Sequence, residues 1–160
     1  MELNLIKSEI NGVLINKIKT HSDHRGFFRE LLRLPILNSN FSYENTQISH
    51  SEVFPGVLKA WHAHVYQYQW TYVAKGTLLV ALVDKREDST SFNKVTSFIS
   101  SSNSDPYIYG FPPGVYHGYK NLSDTAEIIY VTNGHYDKND ELRINSNSDE
   151  IPFSWELKYN

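Results

Sequence analysis

Two histidines separated by one residue, His62 and His64, lie in the glycine-bounded stretch GVLKAWHAHVYQYQWTYVAKG at residues 56–76. In an extended strand side chains alternate between faces, so these two imidazoles share a surface while Ala63 turns away. Imidazole titrates near neutrality, and His62 can accept a proton without heavy tuning. A third histidine, His117, lies in PPGVYHGYKN at residues 112–121, and Gln69 follows His64 within the first stretch. Three imidazoles and an amide oxygen can instead hold zinc, iron or manganese, although amide oxygen is a weaker ligand than carboxylate. Tyr130 alternates with Ile129 and Val131 in AEIIYVT, so on a strand it can face a cavity while they face packing. A phenol of ordinary pKa, about 10, keeps its proton at pH 7 and can donate it. In DHRGFFRE, Gly26 directly follows Arg25, which permits close approach of backbone to a ligand.

The elements that must carry these residues read as short strands. Residues 13–19 and 27–33 are β-leaning segments around the polar turn THSDHRG, and a hairpin follows. Pro35 stops any helix, 37–46 reads as loop, and a strand starts at Gln47. TLLVALVD at 77–84 is nearly continuous in apolar residues, as a strand buried on both faces would be. Residues 84–93 form a hairpin loop before the strand at 94–99, and SSSNSD at 100–105 has the composition of the most flexible part of the chain. Pro112 to Gly114 turns the chain into a strand bearing His117, and residues 126–132 form another. Ile151, Phe153 and Trp155 alternate in the tail and can dock on the body. Many short strands with regular turn signals predict an all-β antiparallel barrel or sandwich. At 160 residues a single domain over 1–160 is expected, with one sizeable core.

Bulk charge excludes some partners. A net charge of −3 draws the chain to neither nucleic acid nor an anionic membrane, so an anionic ligand must be held by a few placed cations. The longest apolar run, 78–83, is far short of the roughly 18 residues a spanning helix needs, and the N-terminus carries no signal-peptide pattern. With no cysteine there is no disulfide framework and no thiolate nucleophile, in keeping with a cytoplasmic protein. The 11 tyrosines suit a β structure that grips a ring-shaped ligand, though sheet packing accounts for them equally well.

The intervals from Gly56 through His62, His64 and Gln69 to Gly76 resemble the first motif of the cupin family, with Gln69 where metal-binding cupins carry glutamate. Residues 112–121 resemble the second motif. The resemblance implies a jelly-roll-like antiparallel barrel with His62, His64, Gln69 and His117 around a shared interior. Four blocks, DHRGFFRE, QISHSEVFPGVLKAWH, VALVDKR and FPPGVYHGYKNLSDTAEIIYVTNGHY, further resemble the dTDP-4-dehydrorhamnose 3,5-epimerases. Enzymes of that family act on a nucleoside-diphosphate-linked 4-keto sugar, whose ketone acidifies the hydrogens on C3 and C5. Such chemistry needs a base on one face, an acid on the other, and groups to hold the enolate oxygen and the diphosphate.

The resemblance implies that His62 is the base, Tyr130 the acid and His117 a supporting residue. It implies that Arg25 and Lys59 bind diphosphate, and that Phe28, Glu30, Gln47 and Tyr136 lie near nucleotide or sugar. It also implies no cofactor and no metal, a dTDP- or CDP-linked substrate, and a homodimer in which the N-terminal strands and Arg25 reach the neighbour's site. The sequence departs from the family pattern in places. Gln69 stands where the family has a lysine near the enolate oxygen, and Ser49 where asparagine is usual. The aspartate that orients the family's base histidine lies beyond the tryptophan matched by Trp155, and the sequence given runs to Asn160. Two expectations follow: either another group, such as Asp84 or a backbone carbonyl, orients His62, or the enzyme is weakened or altered. The run HAH followed by Gln69 is also similar to nucleotide-sugar 3,4-ketoisomerases, in which both histidines shuttle protons. A cupin that binds nucleotide sugar without turning it over is the remaining alternative.

Overall fold

In the computed structural model the described residues are 5–33 and 45–156, and they form thirteen strands. These are β1 (Leu5–Ile6), β2 (Leu14–Lys17), β3 (His21–Asp23), β4 (Gly26–Phe28), β5 (Gln47–Val53), β6 (Leu58–His64) and β7 (Gln69–Lys75), followed by β8 (Thr77–Asp84), β9 (Val95–Ser101), β10 (Tyr107–Phe111), β11 (Val115–Asn121), β12 (Ala126–Thr132) and β13 (Glu141–Arg143). A single 3-10 turn at Lys138–Asp140 is the one helical element among the described residues. Two antiparallel sheets dominate, ordered β1-β2-β10-β7-β12-β5 and β13-β6-β11-β8-β9, and β3-β4 stand apart as a hairpin. This is the predicted all-β, antiparallel jelly-roll-like architecture of a cupin.

The strands share one design. On β5, one face reads Gln47, Ser49, Ser51 and then Val53; on β7 it reads Gln69, Thr71 and then Val73. On β12 the same alternation gives Ala126 and Ile128 in the core, then Tyr130 and Thr132 at a cavity. Period-2 alternation thus sends each strand's inner face from apolar at one end of the structure to polar at the other. The apolar end, with Ile15, Leu78, Val80, Leu82, Phe111 and Ile128, is the main core. The outer faces carry separate clusters. Trp61, Ala81, Val83, Ile151 and Trp155 pack together, as do Trp70, Tyr72, Ile108 and Ile18. β8 therefore faces apolar neighbours on both sides, as its sequence predicted, and the tail docks through Ile151 and Trp155.

Some expectations are corrected. β3 lies inside the predicted polar turn and β4 runs from its last residue into the predicted 27–33 segment, with the tip at Asp23 to Gly26, and residues 29–33 form no strand. Residues 100–102 are buried rather than flexible: Ser100 and Ser101 end β9, Ser101 Oγ accepts from Thr77 Oγ1 at 3.0 Å, and the Ser102 N–H donates to the Gly76 carbonyl. The Ser101 hydroxyl finds its partner in Thr77, whereas the Ser100 hydroxyl is buried with no hydrogen-bond partner among the described residues. Pro35 and most of the predicted loop at 37–46 lie outside the described residues.

Gly118 lets the two layers behind the histidines meet. A Cβ there would lie 2.5 Å from Ala60 Cβ, 2.9 Å from Trp155 Cζ2 and 3.0 Å from the Lys59 carbonyl, none of which is the end of a flexible chain. Gly118→Ala is expected to lower unfolding free energy by about 1–3 kcal/mol through overpacking, read as a reduced denaturant midpoint. An unchanged midpoint would contradict this packing.

Candidate active site

The polar ends of the strands enclose a cavity of about 550 Å³. Its one wall is built on β6 and β11, where His62 and His117 are direct cross-strand partners. The rings of His62 and His64 lie 4.8 Å apart, those of His62 and His117 5.2 Å, and Ala63 is fully buried on the other face. The facing wall comes from β5, β7 and β12. There Tyr130 Oη lies 3.0 Å from Ser51 Oγ and 3.3 Å from Tyr119 Oη, so the phenol belongs to a hydroxyl cluster. Gln69 is buried and donates to Thr71 Oγ1 at 3.0 Å. Gln47 donates to Ser49 Oγ and accepts from the Tyr136 N–H, tying β5 to the loop after β12. Lys59 and Arg143 are the exposed cations of the rim.

The third component is a pair of carboxylates that sequence reasoning missed. β13 pairs with β6, setting Glu141 opposite His64 and Arg143 opposite His62. Glu141 Oε1 lies 3.4 Å from His62 Nε2 without forming a hydrogen bond. Asp140, on the 3-10 turn, holds His64 Nδ1 at 3.0 Å through Oδ2 and accepts the Tyr66 N–H through Oδ1. Both side chains are buried, His64 being 10% and Asp140 5% exposed. Asp84, the residue expected to orient His62, does nothing of the kind. It is fully buried away from the cavity and bound by Arg86, Ser89 and Ser91. Burial pushes its carboxyl up, but the Arg86 and serine hydrogen bonds more than offset this and leave it well below the usual range.

Electrostatics favour the neutral imidazoles of His62 and His117. Burial, and then the neighbouring His64, hold His62 below its ordinary value of 6.5, with Glu141 acting in the opposite direction. His117 is pushed further down by burial and by the other two histidines. Tyr119 rises from β11 beside His117 and reaches across to Tyr130; burial pushes its hydroxyl far up, so it stays a protonated neighbour of that phenol. The ring nitrogens of His62, His64 and His117 all lie within 4.8 Å of one another, and they are the group that could hold a metal ion among the described residues.

Of the site residues expected from sequence, His62, Tyr130, Gln47, Ser49, Lys59, His64, Gln69, His117 and Tyr136 line this cavity. Arg25, Phe28 and Glu30 do not. Arg25 and Phe28 belong to the β3–β4 hairpin, where Arg25 pairs with Asp23 at 2.7 Å and Phe28 is 67% exposed, while Glu30 pairs with Arg33. Trp61, Trp70 and Tyr72 are core residues.

Comparison with known proteins agrees with this architecture. The family model described as dTDP-4-dehydrorhamnose 3,5-epimerase matches residues 7–160. The chain is 37% identical over 153 residues to the spore coat polysaccharide biosynthesis protein SpsL of Bacillus subtilis, covering 94% of this chain and 99% of that protein. It is 31% identical over 161 residues to the dTDP-4-dehydrorhamnose 3,5-epimerase of Shigella flexneri, covering 98% and 88%. Among solved structures, the Legionella pneumophila epimerase RmlC in complex with dTDP-4-keto-L-rhamnose superposes with a TM-score of 0.87 at 25% identity, covering 98% of this chain and 85% of that one.

Proposed function

Since the chain belongs to the dTDP-4-dehydrorhamnose 3,5-epimerase family, we propose that it inverts C3, C5 or both of a nucleoside-diphosphate-linked 4-keto-6-deoxyhexose for a bacterial surface polysaccharide. It is an isomerase by this reading, and its substrate carries dTDP or CDP. The observation that carries it is the placing of imidazole and phenol on opposite walls of one cavity. Inversion needs this arrangement, because the proton must leave one face of the ring and return to the other.

His62 takes the proton from the carbon beside the ketone. The C–H electron pair becomes the enolate double bond and the carbonyl pair moves to oxygen. Tyr130 then gives its proton to the opposite face, and the Ser51 and Tyr119 hydroxyls are positioned to stabilise the phenolate left behind. Gln69 faces the sugar with an amide in place of a cation, while Lys59 and Arg143 offer the rim charges that a diphosphate requires. Arg25, Phe28 and Glu30 act at a second copy's cavity. The exposed β3–β4 hairpin, with Phe27 61% and Phe28 67% exposed, is the element that would reach it in a homodimer. A single domain suffices for this chemistry, and a diffusible nucleotide sugar suits a cytoplasmic setting.

The ketoisomerase alternative has both His62 and His64 shuttling protons, with Gln69 native to the site. Gln69 lines the cavity and donates to Thr71 Oγ1, an arrangement compatible with both readings. Product analysis separates the two: the expected product retains the 4-keto group, and a 3-keto product would overturn the proposal.

Acid sensitivity follows from His62. Its imidazole must be neutral to act, and its pKa is held below 6.5, so kcat/KM is expected to be flat at neutral pH and to fall through an acid limb centred below 6.5. Glu141 raises the His62 value, so Glu141→Gln should move that limb to lower pH. A limb that stays put or moves up would show that another group titrates.

A further inference from the structure

The ketone acidifies two carbons, and the base wall carries two imidazoles in different surroundings. His62 has no hydrogen bond at its buried Nε2, whereas His64 is bonded to a carboxylate whose other oxygen is held by the Tyr66 N–H. Resting on the epimerase reading above, we propose that His64 is a second catalytic base, positioned by Asp140, and that it serves one of the two carbons flanking the ketone while His62 serves the other.

The geometry defines the state of the ring. An ionised carboxylate only accepts hydrogen bonds, so the 3.0 Å contact from Asp140 Oδ2 places the His64 proton on Nδ1 and leaves the lone pair on Nε2. His64 lines the cavity, so Nε2 is the nitrogen left for a substrate. Asp140 cannot easily drift, because it closes the 3-10 turn capped by Asp137, its Oδ1 takes the Tyr66 N–H at 2.6 Å, and its carbonyl takes the Val65 N–H at 3.0 Å. A buried histidine and carboxylate are a poor choice for packing alone, since an apolar pair of similar size serves stability as well or better. His62 and His64, 4.8 Å apart on the wall facing Tyr130, address the same face of a bound ring at two places. At each carbon the step balances in the same way: the C–H bond breaks with its electron pair passing into the enolate, imidazole gains the proton, Tyr130 protonates the other face, and solvent then takes the proton from imidazolium and returns one to the Tyr130 phenolate.

The test follows H3 and H5 of a nucleoside-diphosphate-linked 4-keto-6-deoxyhexose separately by proton NMR in D₂O. The unsubstituted protein should exchange both hydrogens. His64→Gln should slow exchange at one position by at least about 10²-fold while the other persists, and His62→Gln should show the reverse pattern. Asp140→Asn keeps the packing but lets an amide N–H donate to Nδ1, which reverses the tautomer. It should slow the His64 position alone, by up to about 10⁴-fold, with KM little changed. In ¹⁵N spectra the His64 proton should move from Nδ1 to Nε2. Unaltered exchange in His64→Gln, equal slowing at both positions, or exchange of only one hydrogen by the unsubstituted protein would each overturn the assignment of His64. No exchange at all in the unsubstituted protein would overturn the epimerase reading itself.

Discussion

His62→Ala is expected to lower epimer formation about 10²- to 10⁴-fold, the range that a positioned general base supplies. The imidazole shares a cavity with Tyr130, and its pKa, held below 6.5 by burial and by His64, keeps it unprotonated at neutral pH. Removing it takes away the acceptor for the proton without breaking a hydrogen bond at Nε2, whose neighbour Glu141 lies at 3.4 Å without bonding to it. The loss should therefore fall on kcat while the thermal midpoint changes little. Unchanged turnover on a confirmed substrate would show that the base is elsewhere. A large drop in thermal stability would show that His62 is a core residue first.

The second large effect is expected for Tyr130→Phe, which deletes one oxygen and keeps the ring packed against the main core. Here the readout must separate proton removal from proton return. With the phenol gone, His62 can still make the enolate, exchange its proton with solvent and return deuterium to the original face. Epimer formation should fall about 10²- to 10⁴-fold while deuterium entry falls much less. Tyr119 Oη and Ser51 Oγ each lose a partner, so a stability loss of roughly 1–3 kcal/mol is expected as well. Deuterium entry that falls in step with epimerisation would mean that Tyr130 is needed for proton removal, and the division of roles between the walls would be wrong.

Much of the site was legible because strand alternation is a local rule. His62 and His64 on one face, Tyr130 opposed to Ile129 and Val131, and the doubly buried β8 all follow from period 2, and the structure has each of them. Asp140 and Glu141 were not legible. They lie in a polar run without apolar alternation, on a 3-10 turn and a three-residue strand, and Asp140 meets His64 across 76 residues of sequence. Only the pairing of β13 with β6 brings them to the histidines. Asp84 misled for the opposite reason. It ends an apolar strand near the site in sequence, but Arg86, Ser89 and Ser91 in the following loop capture its carboxylate. The serine run at 100–102 reads as flexible from composition, yet strand pairing with β8 and hydroxyl bonds bury it. Arg25, Phe28 and Glu30 matched a family block, but their place relative to a cavity depends on a second copy, which no local pattern encodes.

The most direct test is one incubation of the unsubstituted protein in D₂O with dTDP- and CDP-linked 4-keto-6-deoxyhexoses, followed by NMR of the sugar ring. Deuterium at C3, C5 or both, with inverted configuration and an intact 4-keto group, is the predicted result. A sugar that returns unlabelled, or one whose keto group has moved to C3, would contradict it.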